Sequence, residues 1–213
     1  MTLDLQPSLF EAAVEDGPAF GPLAGHVRRT TLTRGAWVDH LPGWLSGADQ
    51  LFAELVDTVP WRAERRQMYE RVVDVPRLLS FYGEHDALPH PLLEQGRELL
   101  GDHYEEELGE RFRTSGLCYY RDGRDSVAWH GDRIGRGRNE DTMVAILSLG
   151  EARKLMLRPN GGGAGRTLGF SLGHGDLLVM GGSCQRTWEH AVPKSARPCG
   201  PRISIQYRPR AVL

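Results

Sequence analysis

Two hydrophobic periods divide this chain, a helical one in the first half and a strand-like one in the second. Over residues 45–59 the apolar side chains Leu45, Leu51, Phe52, Leu55 and Val59 recur at helix-like spacings, which predicts an amphipathic helix closed by Pro60. Residues 92–112 carry Leu92, Leu93, Leu99, Leu100, Tyr104, Leu108 and Phe112, a second helix with a possible kink site at Gly101. Before both, residues 30–38 alternate loosely around Gly35 and suit one short strand or strand-loop. After Phe112 the pattern shortens. Apolar runs at 117–120, 142–149, 155–157, 167–172, 177–180 and 203–207 are separated by turn residues, as in an antiparallel barrel or sandwich. The predicted class is α+β, with helices of the first half packed on a β-rich second half.

Length and composition narrow this picture. At 213 residues the chain is read as an extension over 1–25, mixing Pro, Gly and short apolar patches, and one domain over 26–213. Within that domain a helical part covers about 26–112 and a β core about 113–210. A net charge of -2 argues against wholesale electrostatic adhesion to nucleic acid but leaves room for a local basic groove. Of 26 basic residues only Lys154 and Lys194 are lysine, which biased codon usage explains without function. Residues 61–77 interleave Arg62, Arg65, Arg66, Arg71 and Arg77 with Trp61, Met68 and Tyr69. That stretch reads either as a nucleic-acid surface or as a solvated face balanced by Glu64, Glu70 and Asp74. Cys118, Cys184 and Cys199 form no Cys-x-x-Cys pair, so neither a disulfide framework nor structural zinc is expected. Neither a signal peptide nor a membrane span is expected, and the expected setting is the cytoplasm, as a monomer without an obligate protein partner.

The chemistry concentrates in the second half. In Trp129-His130-Gly131-Asp132 an extended backbone would send His130 and Asp132 to one face. An imidazole and a carboxylate so placed make part of a 2-His-1-carboxylate site, and His190 is the third ligand available downstream. His26, His40, His85, His90 and His103 have no comparable partners, and His174, between glycines, reads as part of a turn. Further on, Arg202, Ser204, Gln206 and Arg208 share one strand face, with Ile203, Ile205 and Tyr207 on the other. Two inward arginines call for an anionic partner, and a dicarboxylate matches their bidentate geometry.

The order His130-x-Asp132, His190, Arg202-x5-Arg208 resembles the AlkB family of Fe(II)/2-oxoglutarate dioxygenases, which repair alkylated bases. Cys118-Tyr119-Tyr120-Arg121-Asp122-Gly123 is similar to that family's Asn-x-Tyr-x-x-Gly. The stretch from His174-Gly175-Asp176 to Gly182 resembles its His-Gly-Asp strand, and Pro76-Arg77 with Tyr82-Gly83 its Pro-Arg…Tyr-Gly segment. The resemblance covers about residues 60–210. It implies a double-stranded β-helix (jelly-roll) core under an N-terminal nucleotide-recognition lid. It further implies Fe(II) on His130, Asp132 and His190, with positions open for 2-oxoglutarate and O2. Arg202 and Tyr120 would hold the distal carboxylate of 2-oxoglutarate, Arg208 would support the carboxylate near the metal, and Cys118 and Ser204 would line the co-substrate. The implied reaction hydroxylates an N-linked methyl group on a DNA or RNA base and yields succinate, CO2 and formaldehyde. The base must be flipped or already single-stranded.

This chain departs from the family at Cys118 and Ser204, where amides are common, and at Ile134, where many members carry an acidic residue that reads the base. Arg133, Arg136 and Arg138 are candidates for phosphate contacts, and Trp61, Phe81, Tyr82 and Trp129 for stacking on a base. The rival reading is the same oxygenase chemistry on a protein, lipid or small molecule, motivated by Ile134 and the net negative charge. A non-catalytic jelly-roll binding module is a third, disfavoured by the intact triad and arginine pair.

Overall fold

The computed structural model describes residues 17–68, 71–132, 139–161 and 167–209, with the backbone alone over 65–68 and 71–74. The first half contributes β1 (Ala19–Phe20), β2 (Arg28–Thr31), β3 (Ala36–Leu41), β4 (Leu45–Ser46), α1 (Asp49–Thr58), β5 (Arg62–Met68), β6 (Arg71–Tyr82) and α2 (Pro91–Leu108). Then come β7 (Thr114–Tyr120), β8 (Val127–His130), β9 (Val144–Gly150), β10 (Arg153–Pro159), β11 (Leu168–Leu172) and β12 (Asp176–Gly182). The last elements are α3 (Cys184–Thr187), β13 (Trp188–Val192) and β14 (Arg202–Arg208). Eight strands form the larger sheet in the order β2-β3-β12-β9-β14-β7-β6-β5, and four form the smaller one, β11-β10-β13-β8. All the pairings within these two sheets are antiparallel. This is the jelly-roll core.

Strand alternation sorts the interior into two clusters. One lies between the larger sheet and the helices, where Leu51 and Leu55 of α1 and Leu93, Leu100 and Tyr104 of α2 meet Leu147, Leu177, Ile203 and Ile205. The other includes Cys118, Tyr120, Ile146, Leu178 and Met180 from the larger sheet with Leu155, Leu157 and Val192 from the smaller one. Tyr104 also donates to the buried Asp39 carboxylate at 3.0 Å, tying α2 to β3. Helices therefore cover one face of the larger sheet, while the site opens on the other.

Several sequence expectations change at their edges. The single strand expected over 30–38 is two, β2 and β3, because Arg34 and Gly35 take φ of 63° and 78° and reverse the chain between them. The first helix begins at Asp49, since Leu45–Ser46 pairs with Ala19–Phe20 as a small two-stranded sheet. Phe20 packs 4.5 Å from Trp44, just before β4, while residues 1–16 of the expected extension lie outside the described residues. α2 runs unbroken through Gly101, where an added Cβ would lie 2.8 Å from the Arg111 guanidinium. That glycine makes room for Arg111, which pairs with Glu98, Asp102 and Glu105, and bends nothing. α2 is capped by His90, whose Nδ1 accepts from the Leu92 amide, and stops at Gly109 with φ 79°. The boundary near residue 113 is not a boundary in the sheet: β2, β3, β5 and β6 supply four of its eight strands.

Candidate active site

His130 ends β8 and faces His190 on the neighbouring β13, the two rings being 4.2 Å apart. Asp132 lies two residues past the end of β8, so strand alternation alone does not place it. Hydrogen bonds do. Its backbone N–H donates to Gln185 Oε1 at 2.9 Å, and its Oδ2 accepts from Arg208 Nε and Nη2 at 2.9 and 2.8 Å. Oδ1 stands 3.5 Å from His130 Nε2. One donor atom from each of His130, Asp132 and His190 falls within 4.8 Å of the others.

Protonation suits metal binding. His130 Nδ1 lies 2.8 Å from the Ala128 carbonyl, which can only accept. The proton therefore sits on Nδ1 and the lone pair on Nε2, toward Asp132. Burial, with the neighbouring His130, pushes the His190 pKa down to about 3, so that ring is neutral near pH 7. Burial works to raise the Asp132 pKa, but the charge of Arg208, with the two histidines, outweighs it and holds the carboxyl well below its usual range. The Nε2 of His130, the neutral His190 ring and the ionised Asp132 carboxylate, with Arg208 engaging Oδ2, fit a divalent iron.

On the same face lies a cationic recess. Arg202 is 1% exposed and donates Nε to Ser148 Oγ at 2.9 Å, yet its Nη1 is buried with no partner among the described residues. Its guanidinium carbon lies 5.3 Å from the ring centre of Tyr120, the residue it faces across β7 and β14. Burial raises the Tyr120 pKa to about 12, so the phenol stays a neutral donor. Cys118 faces Ser204 across the same pair of strands, and Gln206 Nε2 spans them at 3.4 Å from Cys118 Sγ and 3.3 Å from Ser204 Oγ. Arg77, on β6, reaches Cys118, donates Nη1 to the Ser126 carbonyl at 3.3 Å and keeps a buried Nε unpartnered among the described residues. A buried guanidinium with an unmade hydrogen bond is costly unless an anion completes it. A dicarboxylate fits that requirement.

The candidate substrate residues divide. Trp61 packs on Tyr119 at 5.2 Å and donates to the α1 carbonyls of Leu55 and Val56, and Tyr82 joins the same helix-side cluster. Both are on the far face from the metal ligands, because Tyr82 alternates with Phe81 and Tyr119 with Tyr120. The structure thus places Trp61 and Tyr82, both half-buried, against the helix-side cluster rather than beside the metal ligands. Trp129 alternates with His130 and lies beneath the Arg158 guanidinium at 4.2 Å, with Arg158 paired to Glu189. Phe81 is the opposite case: it is 41% exposed, and beside it a Cβ on Gly116 would be tight, with Arg208 Nη1 3.1 Å and Phe81 Cδ1 3.3 Å from that position. It stands at the rim of the metal recess. Arg133, Ile134, Arg136 and Arg138 fall outside the described residues.

His174 holds a turn, as its glycines suggest. Its Nδ1 accepts from the Gly150 amide at 2.9 Å, and Gly175, with φ 79°, brings its Cα so close to Leu45 that a Cβ would lie 2.0 Å from the Leu45 carbonyl. Sequence reasoning missed Ser148, Gln185 and Arg153. Arg153 donates to the carbonyls of Asp122, Asp125 and Pro193 and so clamps the loop after β7 to the end of β13. Arg77 was legible in the Pro76-Arg77 segment, and the fold adds its reach to Cys118 and its unpartnered Nε.

A family model described as the 2OG-Fe(II) oxygenase superfamily matches residues 38–208. The alpha-ketoglutarate-dependent dioxygenase alkB homolog 3 of Bos taurus is 31% identical over 186 residues, 78% of this chain and 64% of that protein. The DNA oxidative demethylase ALKBH2 of Homo sapiens is 26% identical over 216 residues, 93% of this chain and 81% of that one. The chain spans a little under two thirds of the length of the alkB homolog 3 proteins it matches, 64% for the bovine one. Among solved structures, OsALKBH1 superposes with a TM-score of 0.59 at 13% identity, over 85% of this chain and 99% of that one, a likeness of fold. The donor set and the arginine recess agree with the Fe(II) and 2-oxoglutarate in the superfamily's name. Sequence order, fold and donor chemistry converge, and the chain belongs to the 2OG-Fe(II) oxygenase superfamily and, within it, to the AlkB family.

Proposed function

We propose that this chain oxidatively dealkylates N-alkylated bases in DNA, with RNA as the related substrate, using Fe(II), 2-oxoglutarate and O2. The observation that carries the reading is the pairing, in one recess, of His130, Asp132 and His190 with Arg202, whose buried Nη1 has no partner among the described residues. With Fe(II), 2-oxoglutarate and O2 bound, the site would decarboxylate the oxo acid to succinate and CO2 and hydroxylate an N-linked methyl group, which leaves as formaldehyde. The protein's own part is to hold and to exclude. His130 Nε2, His190 and Asp132 Oδ1 would hold the metal, and Arg208 keeps Asp132 ionised and turned.

Arg202 and Tyr120 would bind the distal carboxylate, with Ser148 fixing the guanidinium and Cys118, Ser204 and Gln206 lining the space between. Phe81 offers the exposed ring on which an extruded base could stack, a contact worth about 1–3 kcal/mol per base. Arg133 and Arg136 would meet phosphates. The names of the relatives support nucleic acid as substrate. Incubation with a methylated single-stranded oligonucleotide tests it: formaldehyde and succinate should form in equal amounts. Succinate without formaldehyde, alongside coupled turnover of a protein, lipid or small molecule, would replace the nucleic acid with that substrate.

A further inference from the structure

We propose that Gln185 is a positioning residue for the metal centre, holding the ligand Asp132 through the backbone of its loop. This rests on the metal reading above.

Gln185 is 1% exposed, and its Oε1 accepts the Asp132 N–H at 2.9 Å across 53 residues of sequence. Among the described residues the other end of the amide meets only Met180 Sδ, at 3.9 Å, a weak acceptor. A buried carboxamide costs free energy unless its bonds are made, and an apolar side chain of equal length would fill this space against Met180 as well. The bond to the ligand loop is therefore what the amide accomplishes here.

The platform beneath Gln185 is tied down on several sides. Gly182 enters α3 with φ 60°, and a Cβ there would lie 2.2 Å from the Gly35 carbonyl. Ser183 Oγ donates to the Arg34 carbonyl at 2.6 Å and lies 3.0 Å from Thr187 Oγ1. The Asn160 amide N–H bonds the Thr187 carbonyl at 2.9 Å, its side chain bonds the Arg186 carbonyl, and Arg186 pairs with Asp141. α3 leads directly into β13, which carries His190. One short connection thus sets the place of a histidine ligand and, through Gln185, of the carboxylate ligand that lies beyond the end of its own strand. Asp132 is held at two points, its carboxylate by Arg208 and its backbone by Gln185.

The test compares wild type, Gln185→Met and Ser183→Ala. Mn(II) serves as the probe metal, its free fraction read by electron paramagnetic resonance, and thermal unfolding of the metal-free proteins is recorded in parallel. Methionine keeps the length and packing and removes the acceptor. Ser183→Ala removes one of the several ties beneath α3 and leaves the Gln185 bond to the ligand loop intact. Gln185→Met should weaken Mn(II) binding about 10–100-fold, the usual cost of losing a group that orients a ligand. Ser183→Ala should lower the midpoint of unfolding while leaving Mn(II) affinity within about twofold of wild type, since it leaves that orienting bond intact. Unchanged affinity in Gln185→Met would overturn the inference, as would an equal loss in Ser183→Ala, which would make the effect one of helix anchoring. Wild type that takes up no Mn(II) would overturn the metal reading and this inference with it.

Discussion

β14 presents two faces that are equally buried and differently finished. Ile203, Ile205 and Tyr207 are each 0% exposed among the leucines of the helices, and the Tyr207 hydroxyl donates to the Leu93 carbonyl at 3.1 Å. Arg202 and Ser204, at 1% and 2%, are as deeply enclosed on the opposite face, yet the Arg202 Nη1 has no partner among the described residues. Folding completes the first face. The second is left incomplete at Arg202. On this strand burial does not separate the two faces; the unmade hydrogen bond of Arg202 does, because a buried guanidinium without its partner costs free energy.

That contrast can be broken in four places. His190→Ala removes a metal-ligand candidate of β13 beside that face: turnover should fall by more than about 10³-fold, while the midpoint of thermal unfolding stays near wild type. A variant that keeps its turnover would show that the cluster is not the reactive centre. Ile205→Ala, on the helix-covered face of β14, should do the reverse. It should cost about 2–5 kcal/mol of stability in denaturant unfolding and leave turnover per folded molecule unchanged. Arg202→Met sharpens the comparison most. The Michaelis constant for 2-oxoglutarate should rise about 10²-fold or more, with stability equal to wild type or higher, because a buried charge without a carboxylate is exchanged for an apolar side chain of similar length. Marked destabilisation would mean that Arg202 belongs to the structure rather than to a ligand. Tyr207→Phe is the smallest change. Removing the donor to Leu93 should cost about 1 kcal/mol, visible in unfolding and absent from kinetics.

How much of this was legible in the chain follows from the same two faces. The alternation of Arg202, Ser204, Gln206 and Arg208 with Ile203, Ile205 and Tyr207 could be read directly, as could the three ligands, because residue type and spacing carry that information. Edge strands carry little of it. β2 is Arg-Arg-Thr-Thr and exposed throughout, so no apolar rhythm marks it as part of the larger sheet. Trp61 and Tyr82 show the limit of reading residue type alone: an aromatic ring beside arginines suggests a base, but one step of strand phase puts it against the helix-side cluster and leaves Phe81 at the recess. Gln185 and Ser148 were beyond reach for another reason. Each acts on a partner 53 or 54 residues away, and nothing local distinguishes them from any other glutamine or serine.

The central claim is that the open face of β14 is completed by 2-oxoglutarate beside a metal on His130, Asp132 and His190. Anaerobic titration of the folded protein with Fe(II) and then 2-oxoglutarate tests it most directly. One equivalent of Fe(II) should bind, and addition of the oxo acid should raise a visible charge-transfer band that is lost in His190→Ala and weakened in Arg202→Met. Folded wild type that develops no band would contradict the claim.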